Sequence, residues 1–200
     1  MKLNFTLTPE KVQQVFAKKD YRFFENGNYN LNIFGIRATE RNTNTFNDLI
    51  CVMYKEAGVM QLRQFAATTD PGEYWVKNPM SSGGCAAMVE GQYLSAYTIG
   101  KHFGTDALVQ VAPVKCYRDN DKDGIMRYDK ASITEGLYGI NIHSAWAVER
   151  ANTVDKWSAG CQVFQNRAEF KSFIALCNKA MKSGMGSTFT YTLFYEADFE

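Results

Sequence analysis

Short stretches with strand-like patterns constrain this chain most. Residues 30–37 alternate between polar and apolar side chains, residues 48–54 form an apolar run, and residues 187–195 alternate threonine with aromatic side chains. Period-two alternation and short apolar runs are typical of strands, in which successive side chains point to opposite faces. A further apolar stretch, 107–111, and a glycine-rich turn at 81–84 continue the pattern. The sequence therefore predicts a mostly β chain that also contains some helix.

Two helices are predicted, one near each end of the chain. The first begins at Thr8-Pro9-Glu10, which offers a hydroxyl cap, a proline in the first turn and an acid near the positive end of the helix. The second is predicted over residues 167–182, because Asn166 and Glu169 form a capping box and apolar residues then recur at helical spacing. Gly184 supplies its stop signal.

Size and charge indicate one globular unit. With 200 residues, of which 46% are hydrophobic and 22% charged, the chain can bury a single core. We expect residues 1–28 to form a helical extension that packs on a compact catalytic body of residues 29–200. The net charge is only +1 and basic residues are spread along the chain, which argues against a nucleic-acid partner.

Membrane insertion and export leave recognisable segments in a sequence, and neither is predicted here. No run of about 18 apolar residues is present, so we expect no membrane span. Residues 1–10 lack the apolar stretch and the small-residue cleavage site of a secretory signal peptide. The sequence thus favours synthesis in the cytoplasm without such a signal.

Cysteine usage points to one reactive thiol. The chain has five cysteines at irregular spacings, which argues against a disulfide framework and against a zinc knuckle. Free cysteines are usually small apolar core residues, and Cys177 on the second predicted helix is expected to be one. Cys161 differs, because the small residues 158–160 precede it and His143 lies 18 positions before it (161 − 143 = 18).

A nucleophilic cysteine needs a base, because the thiolate is the reactive form and an ordinary thiol is mostly protonated at neutral pH. His143 follows the apolar stretch 137–142, which predicts a strand that aims the imidazole rigidly. The small-residue turn through Ser158 and Gly160 leaves the thiol accessible and offers backbone N–H groups to an oxyanion. We therefore predict that Cys161 and His143 form a catalytic pair.

These segments resemble the L,D-transpeptidase catalytic domain, which has the YkuD fold. The signature of that family is a strand ending in His, a loop, and a Ser-x-Gly-Cys turn, and residues 140–143 and 158–161 match it. Residues 68–74 are similar to the Thr/Pro/Gly-rich hairpin that precedes the site in the family. The resemblance covers residues from about 30 to 195, and it is most specific at the His and Cys segments.

The resemblance implies a β-rich sandwich, a covalent thioester on Cys161 and peptidoglycan stem peptides as substrate. It also implies that the backbone of Ser158 orients His143. Within the matching segments, we expect Tyr74 and Asn141 to contact the substrate. Two tryptophans near the turn, Trp146 and Trp157, are expected to form an aromatic wall for a sugar or peptide, and core packing is the equal alternative.

The reaction outcome stays open at this point, because Ser144, Ala159 and Val163 depart from the family's pattern. Without an export signal, the expected setting is a phage lysin (an endolysin) that hydrolyses stem-peptide bonds of the bacterial cell wall without a cofactor. Cross-linking by transpeptidation is the nearest alternative. A non-catalytic wall-binding protein is another, and so is muramidase-like glycan cleavage, which requires two carboxyl groups at one bond. The acids considered for that role are Asp48, Glu90, Glu149 and Asp155.

Three further features are given ordinary roles. Cys85 follows a similar small-residue turn, but Ala67 stands 18 positions before it (85 − 67 = 18), so we expect an ordinary loop cysteine. His102 is expected to be an exposed turn histidine, with a substrate-binding role as the alternative. The acidic run 119–124 has the spacing of a calcium loop, but Lys130 stands where the last carboxylate ligand belongs, so no metal is predicted.

Overall fold

The computed structural model describes residues 5–40 and 44–200. Within these residues the chain forms three α-helices and eleven strands. The helices are α1 (Pro9–Lys18), α2 (Glu73–Lys77) and α3 (Arg167–Lys182). The strands are β1 (Asn32–Arg37), β2 (Asp48–Glu56), β3 (Val59–Thr68), β4 (Cys85–Met88), β5 (Gly91–His102), β6 (Thr105–Gln110), β7 (Val114–Asp119), β8 (Thr134–Gly136), β9 (Ile142–Ser144), β10 (Gln162–Phe164) and β11 (Thr188–Tyr195). Two 3₁₀ turns cover Lys130–Ser132 and Glu196–Phe199.

Eight of the strands form one closed barrel in the order β1-β11-β5-β6-β9-β10-β3-β2. The barrel closes because β2 and β11 both pair with β1, the first antiparallel and the second parallel. The other three strands form a separate sheet in the order β4-β7-β8. The prediction of a mostly β chain with helices is therefore confirmed, whereas the strand pairing gives a barrel with an added sheet and leaves the sandwich of the L,D-transpeptidase type unconfirmed.

Both predicted long helices are present and begin at the predicted caps. Thr8 Oγ1 accepts a hydrogen bond from the backbone N–H of Lys11 at the start of α1. Asn166 Oδ1 accepts from the N–H groups of Ala168 and Glu169 at the start of α3. No helix in the described ranges 5–40 and 44–200 is long and apolar enough to cross a membrane.

The apolar face of α3 packs against the strands that will carry the candidate site. Phe173 is fully buried, and its ring lies 5.0 Å from that of Phe164 on β10. Cys177 is buried in the same core cluster, as predicted for a packing cysteine. At the other end of the chain, Phe16 of α1 packs 5.0 Å from Phe194 of β11. Both helices thus cover the barrel with apolar side chains.

The strand predicted over residues 137–142 is wrong in its bounds. Residues 137–141 are irregular, and the strand β9 runs over Ile142–Ser144. The N–H groups of Tyr138 and Ile140 donate to the side-chain oxygen of Gln110, and Gly139 has a φ of +69°. A side chain thus replaces a neighbouring strand as the hydrogen-bond partner, and the apolar pattern of the segment does not reveal this.

Candidate functional site

The sheet places His143 and Cys161 on adjacent elements. Strands β9 and β10 are parallel neighbours, with His143 opposite Val163, and Cys161 immediately precedes β10. His143 is 1% exposed and Cys161 is 8% exposed. The Sγ atom of Cys161 lies within 4.8 Å of one ring nitrogen of His143. The two predicted catalytic residues are therefore close enough for a short movement to bring them into hydrogen-bond contact.

The turn before the cysteine depends on Gly160 and Ser158. Gly160 has a φ of +123°, and a Cβ atom there would lie 2.6 Å from the carbonyl oxygen of Ala86. Fully buried Ser158 donates from Oγ to the carbonyl of Cys161 at 2.8 Å and accepts from the N–H of Gly160 at 3.2 Å. These contacts fix the backbone that presents the thiol. They also engage the Gly160 N–H, which was expected to stabilise an oxyanion.

The hydrogen bond that orients His143 comes from its neighbour. The Nδ1 atom lies 2.9 Å from the carbonyl oxygen of Ser144, which can only accept, so Nδ1 carries the proton. The Nε2 atom is then a bare lone pair, and it is buried without a hydrogen-bond partner among the described residues. The implied role for the Ser158 backbone is wrong, because the Ser158 carbonyl accepts from the N–H of Gly72 instead. His143 is thus held in the tautomer that a base requires.

The thiol of Cys161 rests between two backbone groups. Its Sγ atom accepts from the N–H of Asn141 at 3.4 Å and donates to the carbonyl of Gly139 at 3.5 Å. Rotation about the Cβ–Sγ bond redirects only the hydrogen. The backbone N–H of Cys161 itself makes no hydrogen bond within the described part of the chain. That N–H group is therefore available to a bound carbonyl oxygen.

Burial keeps both members of the pair neutral. It raises the pKa of the Cys161 thiol to about 11, against the opposing effect of the Asn141 N–H. Burial also lowers the pKa of His143 to about 4; the nearby His102 lowers it further, and the hydrogen bond to Ser144 opposes the shift. At neutral pH the resting site therefore holds a thiol beside a neutral imidazole. A proton must move from sulfur to nitrogen as the sulfur attacks.

His102 belongs to the site, and the expectation of an exposed turn histidine is wrong. It ends β5, and one of its ring nitrogens lies within 4.8 Å of both Cys161 Sγ and a His143 ring nitrogen. The only sequence signal for it is that the chain has two histidines. The strand order β5-β6-β9 brings it beside His143, and such long-range pairing is not visible in local sequence.

Asn141 fixes the proton position on His102. Its Oδ1 accepts from the N–H of Gln110 at 2.9 Å, so its Nδ2 is the atom that lies 3.0 Å from His102 Nδ1. Because Nδ2 can only donate, Nδ1 accepts and Nε2 carries the hydrogen. Burial lowers the pKa of His102, which keeps the ring neutral. Asn141, predicted to contact substrate, is therefore placed behind His102, which becomes a neutral N–H donor.

The tautomer of His102 also decides whether this cluster can bind a metal ion. His102, His143 and Cys161 are ligand types that zinc takes, and one ligand atom of each lies within 4.8 Å of the others. However, His102 Nδ1 accepts from Asn141 and its Nε2 is protonated. Only His143 Nε2 and Cys161 Sγ keep free lone pairs, so the cluster suits proton transfer better than a three-ligand metal site.

A cavity of about 430 Å³ opens beside Cys161. Trp146 and Trp157, the expected aromatic wall, lie in its lining and pack edge to face at 5.0 Å. Phe103 stacks on Trp146 at 5.2 Å. Its full lining is Trp75, Met80, Ser81, Gly84, Cys85, Ala86, His102, Phe103, Arg118, Tyr138, Gly139, Ile140, Trp146, Lys156, Trp157, Ala159 and Cys161. The thiol therefore faces a largely apolar and aromatic chamber.

Two residues near the cavity differ from expectation. Tyr74 is not in the lining; its ring packs on Trp75, which takes that place. Cys85 lies in strand β4, not in a loop, and it is 3% exposed. Burial raises the pKa of the Cys85 thiol to about 12. Among the described residues, the cluster of His102, His143 and Cys161 does not include Cys85, so its thiol is not grouped with a histidine.

The acidic run 119–124 is neutralised from within the chain. The guanidinium of Arg127 lies 3.7 Å from Asp119, 3.1 Å from Asp121 and 2.5 Å from Asp123. The carboxylate of Asp119 also accepts from the backbone N–H groups of Asp121 and Arg127. The carboxylates that a calcium loop would direct at the ion are thus paired with the guanidinium of Arg127.

The acids considered for glycan cleavage do not meet at the cavity, because the described residues of its lining include neither Asp nor Glu. Asp48 is buried and accepts from the N–H and hydroxyl of Thr69. Glu90 pairs with buried Arg37 at 2.5 Å, and Glu149 pairs with Arg167 at 3.6 Å on the surface. Asp155, the fourth, is exposed in the loop before Lys156.

Comparison of the chain with protein-family models, with curated proteins and with solved structures finds no match in any of the three.

Proposed function

We propose that this protein is a cysteine enzyme that cleaves stem-peptide bonds of peptidoglycan through an acyl-enzyme on Cys161. The observation that carries the proposal is the buried Nε2 lone pair of His143, which lies beside the Cys161 thiol and has no hydrogen-bond partner in the described part of the chain. A buried polar atom without a partner costs free energy, and a base poised for a nucleophile accounts for it. The peptidoglycan substrate comes from the resemblance of residues 140–143 and 158–161 to the L,D-transpeptidase family.

In the first step, Cys161 Sγ attacks the carbonyl carbon of the scissile peptide bond. His143 Nε2 takes the thiol proton, and the carbonyl oxygen becomes an oxyanion. Two donors stand ready for that charge, the backbone N–H of Cys161 and the Nε2–H of His102. The N–H of Gly160 does not contribute, since it donates to Ser158 Oγ.

In the second step the tetrahedral intermediate collapses and the C–N bond breaks. The leaving amine takes the proton from His143 Nε2, and a thioester remains on Cys161. Water then attacks the thioester, gives its proton to His143, and releases a carboxylic acid while the thiol is re-formed. When a second amine replaces water, the same sequence makes a new peptide bond.

The cavity favours acyl transfer over glycan cleavage. A retaining or inverting glycosidase needs two carboxyl groups at the scissile bond, and none of the described residues that line the cavity carries a carboxylate. The wall made by Trp75, Trp146 and Trp157 offers stacking surfaces for a peptide or sugar portion of the substrate.

The test is digestion of purified peptidoglycan with products identified by mass spectrometry. The wild type is expected to release fragments with a new free amine and a new carboxylate, whereas Cys161→Ala and His143→Ala release neither. Cys85→Ala is the matched control, because that thiol also lines the cavity but has no histidine partner in the site cluster. Cross-linked products in place of free ends would assign transpeptidation, and activity retained by Cys161→Ala would overturn the proposal.

A further inference from the structure

The charges of the cavity beside Cys161 have one sign. Arg118 and Lys156 contribute to its lining, and the lining residues within 5–40 and 44–200 include neither Asp nor Glu. Both histidines of the site are neutral, because burial lowers the pKa of each. A low-dielectric pocket with two cations and no acid favours a ligand that brings negative charge.

Arg118 is held in place by neutral groups. Its Nε donates to Thr134 Oγ1 at 3.1 Å, its Nη1 donates to the carbonyl of Gly84 at 3.4 Å, and its guanidinium stacks on Tyr138 at 4.2 Å. Within residues 5–40 and 44–200, Arg118 forms no ion pair with a carboxylate, and its Nη2 makes no hydrogen bond. The arginine is therefore pre-oriented, with donors left over for an anion.

The adjacent acid on the strand does not neutralise this arginine. Along β7, successive side chains point to opposite faces, so Asp119 faces away from Arg118. Asp119 is buried and engaged with Arg127. The positive charge of Arg118 thus remains directed at the cavity.

Lys156 supplies the second cation of the cavity lining. It is exposed, and its Nζ lies 4.3 Å from the centre of the Tyr74 ring. Its backbone carbonyl accepts from the indole N–H of Trp75 at 3.0 Å, which fixes the loop that carries it. In the described part of the chain, Lys156 forms no ion pair. Its flexible ammonium can follow a carboxylate at the mouth of the cavity.

We infer that the cavity selects an acyl donor that carries a free carboxylate, held by Arg118 and by Lys156, beside the bond attacked by Cys161. This inference rests on the proposed function for the identity of the reacting bond. It adds a requirement that a neutral peptide substrate does not meet. Amidation of the carboxylates is therefore expected to protect a peptide from the enzyme.

The test uses two synthetic peptides of the same sequence, L-Ala-γ-D-Glu-L-Lys-D-Ala. One has free carboxylates and the other has carboxamides in their place. Binding to Cys161→Ala is measured by isothermal titration calorimetry, so that no turnover intervenes. The free carboxylate form is expected to bind about tenfold more tightly or better, as hydrogen bonds to charged groups indicate. Arg118→Gln, made in the same background, is expected to remove most of that preference.

Lys115→Gln is the matched control, because Lys115 is an exposed cation on the same strand and is absent from the cavity lining. It should keep the preference for the carboxylate form. Equal binding of the two peptides, or no binding of either, would overturn the inference. Circular dichroism of Arg118→Gln checks that its fold is retained. Failure of the proposed function gives a different result, namely no peptidoglycan products from the wild type while the binding preference persists.

Discussion

The Nδ1 atom of His143 lies 2.9 Å from the carbonyl oxygen of Ser144, and this contact leaves Nε2 as a buried lone pair that has no hydrogen-bond partner among residues 5–40 and 44–200. A hydrogen bond to the carbonyl of the adjacent residue thus fixes the tautomer of the base that the Cys161 thiol needs. The second histidine is fixed in the complementary tautomer, because Asn141 donates to its Nδ1. One ring is ready to accept a proton and the other to donate a hydrogen bond.

The reactivity of the thiol should rise steadily with pH. Burial raises the pKa of Cys161 to about 11, so the thiolate fraction grows by about tenfold per pH unit between pH 6 and 9. Alkylation by iodoacetamide, followed by mass spectrometry of the Cys161 peptide, should show this slope. Cys161→Ala reports the background from the other cysteines. A fast rate that is already flat near pH 6 would instead indicate a preformed thiolate–imidazolium pair.

His102→Ala should lower kcat by about 10²-fold with a smaller change in KM, because loss of one oxyanion donor has this effect in other acyl-transfer enzymes. His102→Gln keeps an N–H donor and should recover part of the rate. Asn141→Asp should also lower kcat. A carboxylate at position 141 accepts from His102 Nδ1–H, which moves the lone pair to Nε2 and removes the Nε2–H donor. A change in KM alone for these variants would assign His102 to substrate binding and contradict an oxyanion role.

Gly160→Ala should destabilise the fold by about 3 kcal/mol or more, because the added Cβ meets a backbone oxygen and alanine is strained at this backbone conformation. That oxygen belongs to Ala86 and would lie 2.6 Å away. The readout is the free energy of unfolding in urea. Gly58→Ala is the control, since Gly58 also has a positive φ, +79°, but nothing lies within 4 Å of its added Cβ. Equal losses for the two variants would mean that the contact with Ala86 contributes nothing.

Phe173→Ala should cost about 3–5 kcal/mol of stability, as truncation of a buried aromatic side chain usually does. The ring is fully buried on α3 and packs on Phe164 of β10, the strand that follows Cys161. Thermal unfolding followed by circular dichroism measures the loss. Lys171→Ala, at an exposed position of the same helix, should leave stability within about 0.5 kcal/mol. If the two variants lost the same amount of stability, packing of α3 on the barrel would not be needed for the stability of the fold.

Local sequence was sufficient for the elements whose causes are local. The caps at Thr8 and Asn166 start helices where predicted, and the spacing of His143 and Cys161 identifies two residues that the fold brings together. Closure of the barrel was not predictable, because it depends on pairings between strands as distant as β1 and β11. The position of His102 was missed for the same reason. The irregular stretch before His143 depends on one side chain, Gln110, that a hydropathy pattern cannot reveal.

The central claim is that Cys161 carries the acyl group, and intact-protein mass spectrometry tests it most directly. The wild type is mixed with stem peptide, quenched in acid within the first turnovers, and weighed. We predict an adduct equal in mass to the acyl portion of the peptide, located on Cys161 by digestion and absent from Cys161→Ala. Product release without any adduct on Cys161, or an adduct retained by Cys161→Ala, would contradict the account.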